Sequence, residues 1–519
     1  MKAWSQNKQK VIAFPSIKYG LCSFWKLGSE KTQVKEGVVL GEYASWVAVR
    51  WRRNVAVRNF TSKVLRKLSR IVPSRFHGKA IIKPHGSLSK HDDWHQRAHF
   101  LEDALHNARS NPPLKPNRKP RIVHLIGSLQ PGGAERQLCN CVIGTRRLGY
   151  EVTVLLLFKP TGEHDHYGEI LAKEGISVRV AGETFNPRFA SELKKIPGGE
   201  ASLASIPEEF CPFAIDVLGE LLSDPPDVFH SWLDHPNIWS GVSALLANIP
   251  LIVLSTRNVN PTHFPYLASP YFHAMYKQFA RSPSVKFINN SHAGAEDYAK
   301  WLNMPNETFK VVLNGVDFSG LSRAPDQDVT NFRNAIGIPA DGKIIAGVFR
   351  LSEEKQPLVF LEVVRRILNR HSNVFAVIAG IGPLEQELVK FVMVHDLGGR
   401  IFYLGRRTDV ATIFSSATLK LLCSLQEGTP NVLLESQWLG CPVVSTKAGG
   451  AVDAVSHGET GLLVDVGDID GLENAVSMLL ENPVLRASMA GTAPAFIRNR
   501  FGMDRMIQET IAIYNEMEV

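Results

Sequence analysis

From Arg121 onward the chain alternates between short runs rich in Val, Ile and Leu and longer segments with helical spacing. A strand that is apolar on both sides must be buried on both faces, which calls for a parallel sheet covered by helices. Arg121–Leu129 (RIVHLIGSL) reads as the first such strand. A glycine turn follows at Pro131-Gly132-Gly133, then a helix over Ala134–Leu148 closed by Gly149, then a strand over Glu151–Phe158. Asp227–Leu233, Leu251–Thr256, Val285–Asn290 and Phe309–Leu313 repeat the strand signal, with an apolar helix over Ile238–Asn248. A polar segment around Ser319–Thr330 precedes a second series. Its strands are predicted at Lys343–Phe349, Asn373–Gly380, Arg400–Gly405, Leu419–Ser424 and Pro442–Thr446. Its helices are predicted at Pro357–Arg370, Leu384–His395, Val410–Ser416 and Pro430–Leu439, with two more at Asp468–Leu480 and Met503–Met517. Two series predict an α/β protein with two Rossmann-like domains facing a cleft, over residues 121–325 and 326–500. In open α/β sheets ligands bind at the carboxyl ends of the strands.

The region before Arg121 is of another kind. Residues 1–120 hold 24 Lys and Arg against 7 Asp and Glu, whereas the remaining residues hold 34 against 43. The formal net charge of +8 is thus a strongly basic arm on a mildly acidic body. Residues 111–120 are Pro-rich and polar and read as a linker. Residues 1–110 read as a basic extension, partly disordered or amphipathic-helical. Within it, Val57, Phe60, Val64, Leu68 and Ile71 recur at helical spacing among eight Arg and Lys, with Trp46 and Trp51 at one end. That is the pattern of an interfacial helix drawn to anionic lipid over residues 41–72; a basic arm without fixed structure and a helix packed on the body are the alternatives. No nucleic-acid module accompanies the charge, so no nucleic-acid partner is expected.

Hydrophobic residues make up 44% of the chain and charged residues 21%, ordinary values for a globular protein. No apolar run approaches the ~18 residues of a membrane span. The six cysteines show neither C-x-x-C spacing nor zinc spacing to His, and buried reduced thiols are expected. H-E-x-x-H, nucleophile-elbow and P-loop motifs are absent, which argues against zincins, α/β-hydrolases and P-loop enzymes. The expected location is cytoplasmic, peripheral at the inner face of the cell membrane.

Four segments carry candidate chemistry. Gly132 and Gly133, between strand and helix, open a helix start to an anion, or simply make a tight turn. Arg350 and Lys355, directly after the strand Lys343–Phe349, could clamp a diphosphate or form a solvated loop. In Glu427-Gly428-Thr429-Pro430-Asn431-Val-Leu-Leu-Glu435, Thr429 is a candidate N-cap and Pro430 a good first helical residue. Glu427 then precedes a helix and Glu435 lies inside it, framing a helix start that suits phosphates. His230 and His235, and then Arg257 and Asn258, lie at strand ends of the first domain.

Together these segments resemble the family 4 glycosyltransferases, which have the two-domain GT-B fold. The resemblance runs from about Arg121 to the C-terminus and keeps the family's order. It comprises Gly132-Gly-Ala-Glu-Arg136, Ser255-Thr-Arg-Asn258, Asn314-Gly-Val-Asp317, Arg350-x4-Lys355, Gly380-Ile-Gly-Pro383 and Glu427-x7-Glu435. Gly440-Cys-Pro-Val-Val-Ser-Thr446, Gly449-Gly450 and Gly458-Glu-Thr-Gly-Leu-Leu-Val464 complete it. It implies a hexosyltransferase-type enzyme that retains anomeric configuration, with a UDP- or GDP-linked sugar as co-substrate and no metal or other cofactor. Arg350 and Lys355 would neutralise the departing diphosphate, and Glu435 would bind ribose. Glu427 with Gly428, Thr429, Pro430 and Asn431 would hold the transferred sugar, and Gly132 and Gly133 would line the phosphate side. Residues 501–519 would form a helix crossing back to the first domain. Many members carry a His-containing pair after the strand that ends here at Thr256. This chain has Arg257 and Asn258 there, so either takes the place of that His, with Asn258 counted among the catalytic candidates and His230, His235 and Arg257 on the acceptor side. The implied acceptor is a glycan or a lipid-linked glycan in cell-surface polysaccharide or glycolipid biosynthesis. A catalytically inactive scaffold of this fold and a sugar-nucleotide epimerase are the competing expectations.

Overall fold

The computed structural model describes residues 91–108, 118–162, 165–183 and 192–516. The basic segment 41–72 and most of the 111–120 linker lie outside the described residues. Two compact units emerge. Among the described residues, the first holds 91–289, 296–310 and 509–516, and the second holds 290–295 and 311–508.

The first unit is built on a seven-stranded sheet in the order β3-β2-β1-β4-β5-β6-β7. Its strands are β1 (Arg121–Ile126), β2 (Glu151–Leu156), β3 (Ser177–Val180), β4 (Val228–Trp232), β5 (Leu251–Ser255), β6 (Val285–Asn289) and β7 (Phe309–Val311). The pairs from β3 across to β6 run parallel. Helix α1 (Gly133–Arg147) follows β1, and α2 (Asp234–Leu246) follows β4. Strand order reverses between β1 and β4, the place where such sheets open a ligand crevice.

The second unit carries a six-stranded sheet in the order β10-β9-β8-β11-β12-β13. It is formed by β8 (Lys343–Val348), β9 (Val374–Ala379), β10 (Ile401–Tyr403), β11 (Leu419–Leu422), β12 (Val443–Thr446) and β13 (Gly461–Val464), again parallel. The helices that concern its site are α3 (Pro357–Arg370), α4 (Glu385–Val394), α5 (Asn431–Trp438) and α6 (Ala451–Ala454). Successive strand residues point to opposite faces. Ile345, Ala376 and Ile378 join one core cluster, while Ile344, Ala346, Val377 and Ala379 join another. Both faces are therefore buried, as the uninterrupted apolar strands require. Here the order reverses between β8 and β11.

The sequence reading and the structure differ at several elements. β3 and a helix over Cys211–Ser223 lie between the predicted strands Glu151–Phe158 and Asp227–Leu233, where the sequence predicts neither. Helix α2 starts at Asp234, four residues ahead of its apolar run. A 19-residue helix, Pro483–Phe501, went unread because it contains Pro494 and has no clean apolar stripe. The last helix, α7, spans Met503–Tyr514. Its residues up to 508 group with the second unit and those from 509 with the first.

Candidate active site

The reversal in the second sheet places two loops side by side at the strand ends. One leaves β8 and carries Arg350 and Lys355. The other leaves β11 and carries Ser424 and Glu427. Lys355 donates to Glu427 Oε1 at 2.6 Å, and Ser424 Oγ donates to the same oxygen at 2.7 Å. The Glu427 side chain is 6% exposed and that of Lys355 23%. A nearly buried carboxylate needs such partners. Arg350 is exposed at the end of β8.

Backbone contacts fix the Lys355 loop. Glu353–Lys355 make a turn of 3-10 helix, and Gln356 takes a left-handed conformation before Pro357 starts α3. Leu425 N–H donates to the Glu354 carbonyl at 2.8 Å, which ties the loop to its neighbour. The Gly380-Ile-Gly-Pro383 turn packs beneath. A Cβ on Gly380 (φ 142°) would sit 1.9 Å from the Phe349 carbonyl oxygen, and one on Gly382 would sit 2.4 Å from that of Leu351. Only glycine allows these two stretches of backbone so close together.

The Glu427 loop is held from its other side. Gly450 N–H donates to the Glu427 carbonyl at 3.2 Å, and a Cβ on Gly450 would meet the Gly428 carbonyl oxygen at 2.4 Å. Asn314 Nδ2 donates to Thr429 O at 3.1 Å and to Asn431 Oδ1 at 2.8 Å. Thr429 was read as the N-cap, but its hydroxyl donates to the Asn290 carbonyl instead. Pro430 occupies the cap position with extended backbone, and α5 begins at Asn431. Glu435 lies in the second turn of α5 and is buried. The structure thus brings Lys355 and Glu427 into direct contact and sets Gly428–Asn431 at the start of α5.

In the first unit, Gly132 caps α1 with extended backbone and Gly133 is the first helical residue. The buried carboxylate of Glu135 folds back onto this helix start and accepts from Gln130 Nε2 at 3.2 Å. Burial raises its pKa. An incoming phosphate at this helix start would have to displace a carboxyl group.

His230 lies within β4, fully buried. Its Nδ1 is 2.7 Å from Tyr514 Oη, and its ring stacks on Trp232 at 4.8 Å. Burial, then its neighbour His124, then Arg257 hold its pKa well below the usual value. His124 sits beside it in register on β1, accepts from Trp232 Nε1 at 3.1 Å, and is pushed by burial down to about 3. His235 lies in the first turn of α2 against Trp239 and Phe272, and burial lowers it to about 4. Arg257 is buried over the Trp232 ring at 4.8 Å, with φ of 67° and a pKa brought to about 10 by burial. A left-handed arginine at a strand end is costly backbone geometry of the kind that gathers at functional sites. Asn258 Oδ1 accepts from Val259 N–H at 2.9 Å.

Sequence reasoning missed several polar groups. Ser424 shares Glu427 with Lys355. Asp234 accepts from Tyr276 and Tyr298, each at 2.6 Å, and burial raises it to about 6. Asp453, on α6, accepts from the His292 backbone at 2.8 Å, from His292 Nδ1 at 2.9 Å and from Arg500 at 3.1 Å. Lys420 lies fully buried in β11. Only Lys420 announced itself, as a lone charge inside Leu-Lys-Leu-Leu. Among the described residues, no group of three or more His, Cys, Asp or Glu could hold a metal ion, and no helix is long and apolar enough to cross a membrane.

Comparison with known proteins agrees with this arrangement. The model of the Glycosyltransferase Family 4 domain matches residues 131–319, and that of Glycosyl transferases group 1 matches residues 328–496. The Vi polysaccharide biosynthesis protein VipC/TviE of Salmonella typhi is 28% identical over 75% of this chain and 70% of its own. The GalNAc-alpha-(1->4)-GalNAc-alpha-(1->3)-diNAcBac-PP-undecaprenol alpha-1,4-N-acetyl-D-galactosaminyltransferase of Campylobacter jejuni is 26% identical over 72% of this chain and 92% of its own. Among solved structures, Anabaena Alr3699/HepE in complex with UDP and glucose superposes with a TM-score of 0.63, at 22% identity, over 76% of this chain and 100% of its own. The two family models between them cover more than half of the chain, including the Lys355 and Glu427 loops and α5, and the chain belongs to the family 4 glycosyltransferases, with the GT-B fold.

Proposed function

We propose that this glycosyltransferase is a retaining, hexosyltransferase-type enzyme that takes a sugar from a UDP- or GDP-linked donor. The observation that carries this reading is the Lys355–Glu427 pair at the strand reversal of the second sheet. Lys355, with Arg350 on the same loop, supplies positive charge where a leaving diphosphate develops negative charge. When the diphosphate takes up Lys355, Glu427 is released to accept from sugar hydroxyls, through Oε1 and through Oε2, which neither of the two bonds uses. Glu435 on α5 accepts from the ribose, and the positive end of the α5 dipole favours a phosphate at the helix start. The UDP in the HepE structure supports a uridine donor. Because the chain's own cations supply the charge, no metal is required, and activity is expected to persist in EDTA.

The acceptor is a glycan or lipid-linked glycan of a cell-surface polysaccharide or glycolipid, as the names of the Salmonella and Campylobacter relatives suggest. The basic sequence over 41–72 supports work at an anionic membrane surface on the cytoplasmic side. Co-sedimentation with anionic vesicles, with and without residues 1–110, tests this; equal pelleting of both forms sinks it.

The central test is a donor screen. Purified protein is mixed with UDP-, GDP- and ADP-sugars, and thermal shift and nucleotide release are read. Stabilisation by one series, abolished in Lys355→Ala, is the expected result, and NMR of the product then reads the anomeric configuration. No response to any donor would refute the reading.

A further inference from the structure

Lys420 is the second residue of β11 and is fully buried. A lysine in a strand covered on both faces must find partners inside the protein. Its Nζ donates to the carbonyls of Val348 at 3.2 Å and Leu421 at 3.1 Å, and it lies 5.2 Å from the centre of the Phe349 ring. Val348 ends β8, and Leu421 is next to last in β11. The amine thus ties together the two strands from which the Lys355 and Glu427 loops depart. Both partners are neutral carbonyls, and the two N–H groups of an uncharged amine can still reach both, though with weaker bonds than an ammonium makes. Four titratable groups act on it. Glu427 favours the ammonium and Lys355 opposes it. The thiols of Cys423 and Cys441 are each pushed up to about 12 by burial and stay neutral. Burial is the largest influence and brings the Lys420 amine down to about 7.

We propose that Lys420 is a proton-binding positioning residue, which takes up a proton from solvent when a nucleoside diphosphate binds at the neighbouring Arg350–Lys355 loop. This rests on the reading that this loop holds the donor diphosphate. The diphosphate adds negative charge near Lys355 and cancels the cation that opposes protonation of Lys420. The ammonium then holds the ends of β8 and β11 with stronger, charge-assisted bonds. A group whose proton affinity rises on binding makes binding tighter at low pH. That gain is lost as pH rises through the group's new, higher pKa.

Titration calorimetry with UDP, and separately with GDP, into the full-length protein tests this. At about pH 8, in two buffers of different ionisation enthalpy, the wild type should take up a substantial fraction of a proton per nucleotide bound. Lys420→Met and Lys420→Arg should take up essentially none. Wild-type affinity should fall by up to about tenfold for each unit by which binding raises the pKa, as pH rises from about 7 to 9, above the phosphate's own titration near 6. Lys420→Met should be flat over that range. If neither variant folds, 13Cε NMR of the wild-type lysines reads the same event, as one resonance that titrates near neutral pH and moves to higher pH with nucleotide. Binding without proton uptake overturns the inference and leaves the donor site standing. Undiminished uptake in both variants places the proton elsewhere and also overturns it. Failure of both nucleotides to bind overturns the donor site and this inference together.

Discussion

Two donors, Lys355 Nζ and Ser424 Oγ, converge on one oxygen of Glu427. Lys355→Ala removes the stronger of the two and the charge offered to a diphosphate. We expect kcat/KM with the preferred donor to fall by about 10²–10³, the scale of losing one preorganised charge contact. The circular dichroism spectrum should not change, since the Lys355 side chain is only partly buried. Lys420→Met should act differently on stability. An unfolded lysine keeps its proton to pH ~10.4, whereas the folded one gives it up near 7, so the unfolded state binds more protons between the two. Wild-type stability therefore rises with pH across that window. Lys420→Met should raise the urea midpoint at pH 7 by an amount worth on the order of 1–4 kcal/mol, and the gain should shrink toward pH 10. At this scale the sequence showed which residue types could act, but not their partners. Lys355 and Glu427 are 72 positions apart, and only the β8–β11 adjacency makes them a pair.

At the scale of elements, the site depends on the turn that packs against the start of the Lys355 loop. The Gly380–Pro383 turn supports the Phe349–Leu351 backbone from which the Lys355 loop departs. A methyl at Gly382 would push on the Leu351 carbonyl and peptide from 2.4 to 2.8 Å away, so the loop must move. Gly382→Ala should reduce donor use about 10- to 100-fold, as expected for an ångström-scale misplacement, and lower the melting temperature. Gly399→Ala, where a Cβ meets nothing within 4 Å, should leave both unchanged. Nucleotide release and thermal melts on the two variants decide the matter. Most strands were legible, because burial on both faces writes an unbroken apolar run. β3 was not, since its SVRV is short and carries a charge on a partly exposed edge. The 483–501 helix hid for the opposite reason. Its apolar residues Met489, Ala493, Ile497 and Phe501 do recur every fourth position, but Pro494 and scattered Ala and Thr dilute the signal. The start of α5 differs by one residue, because Pro430 holds the cap position while the Thr429 hydroxyl donates to the Asn290 carbonyl.

Across the whole molecule, the buried ionisable groups give stability a direction in pH. His124 is held at about 3, His235 at about 4 and His230 well below the usual value, so each resists a proton that its unfolded counterpart accepts below pH 6.5. Each therefore costs about 1.4 kcal/mol of stability per pH unit below that point, down to its folded pKa. Asp234 works the other way, being raised to about 6 and so favouring the folded state as pH falls from there to its ordinary value near 3.8. The buried carboxyls of Glu135 and Glu220 are raised as well, but the three histidines act across the whole range, so the melting temperature of the wild type should drop as pH is lowered from 6.5 to 4.5. Asp234→Asn should make that drop steeper; a shallower drop would contradict the assignment. The two-domain fold class was readable from the alternation of elements, and the order of motifs pointed to the family. The buried histidine cluster was not readable, because His124 and His230 become neighbours only through the pairing of β1 with β4.

The path of α7 bears on how the chain is made. The first unit contains residues 509–516 as well as 91–289, and His230 depends on the hydroxyl of Tyr514. A ribosome that has released everything up to residue 500 has therefore emitted a first unit still short of its final piece. The aromatic slot around His124, His230 and Trp232 stays unfilled until Tyr514 emerges. Folding of the earliest-synthesised unit is completed last, and the nascent protein carries this open aromatic slot from the emergence of β4 until that of Tyr514.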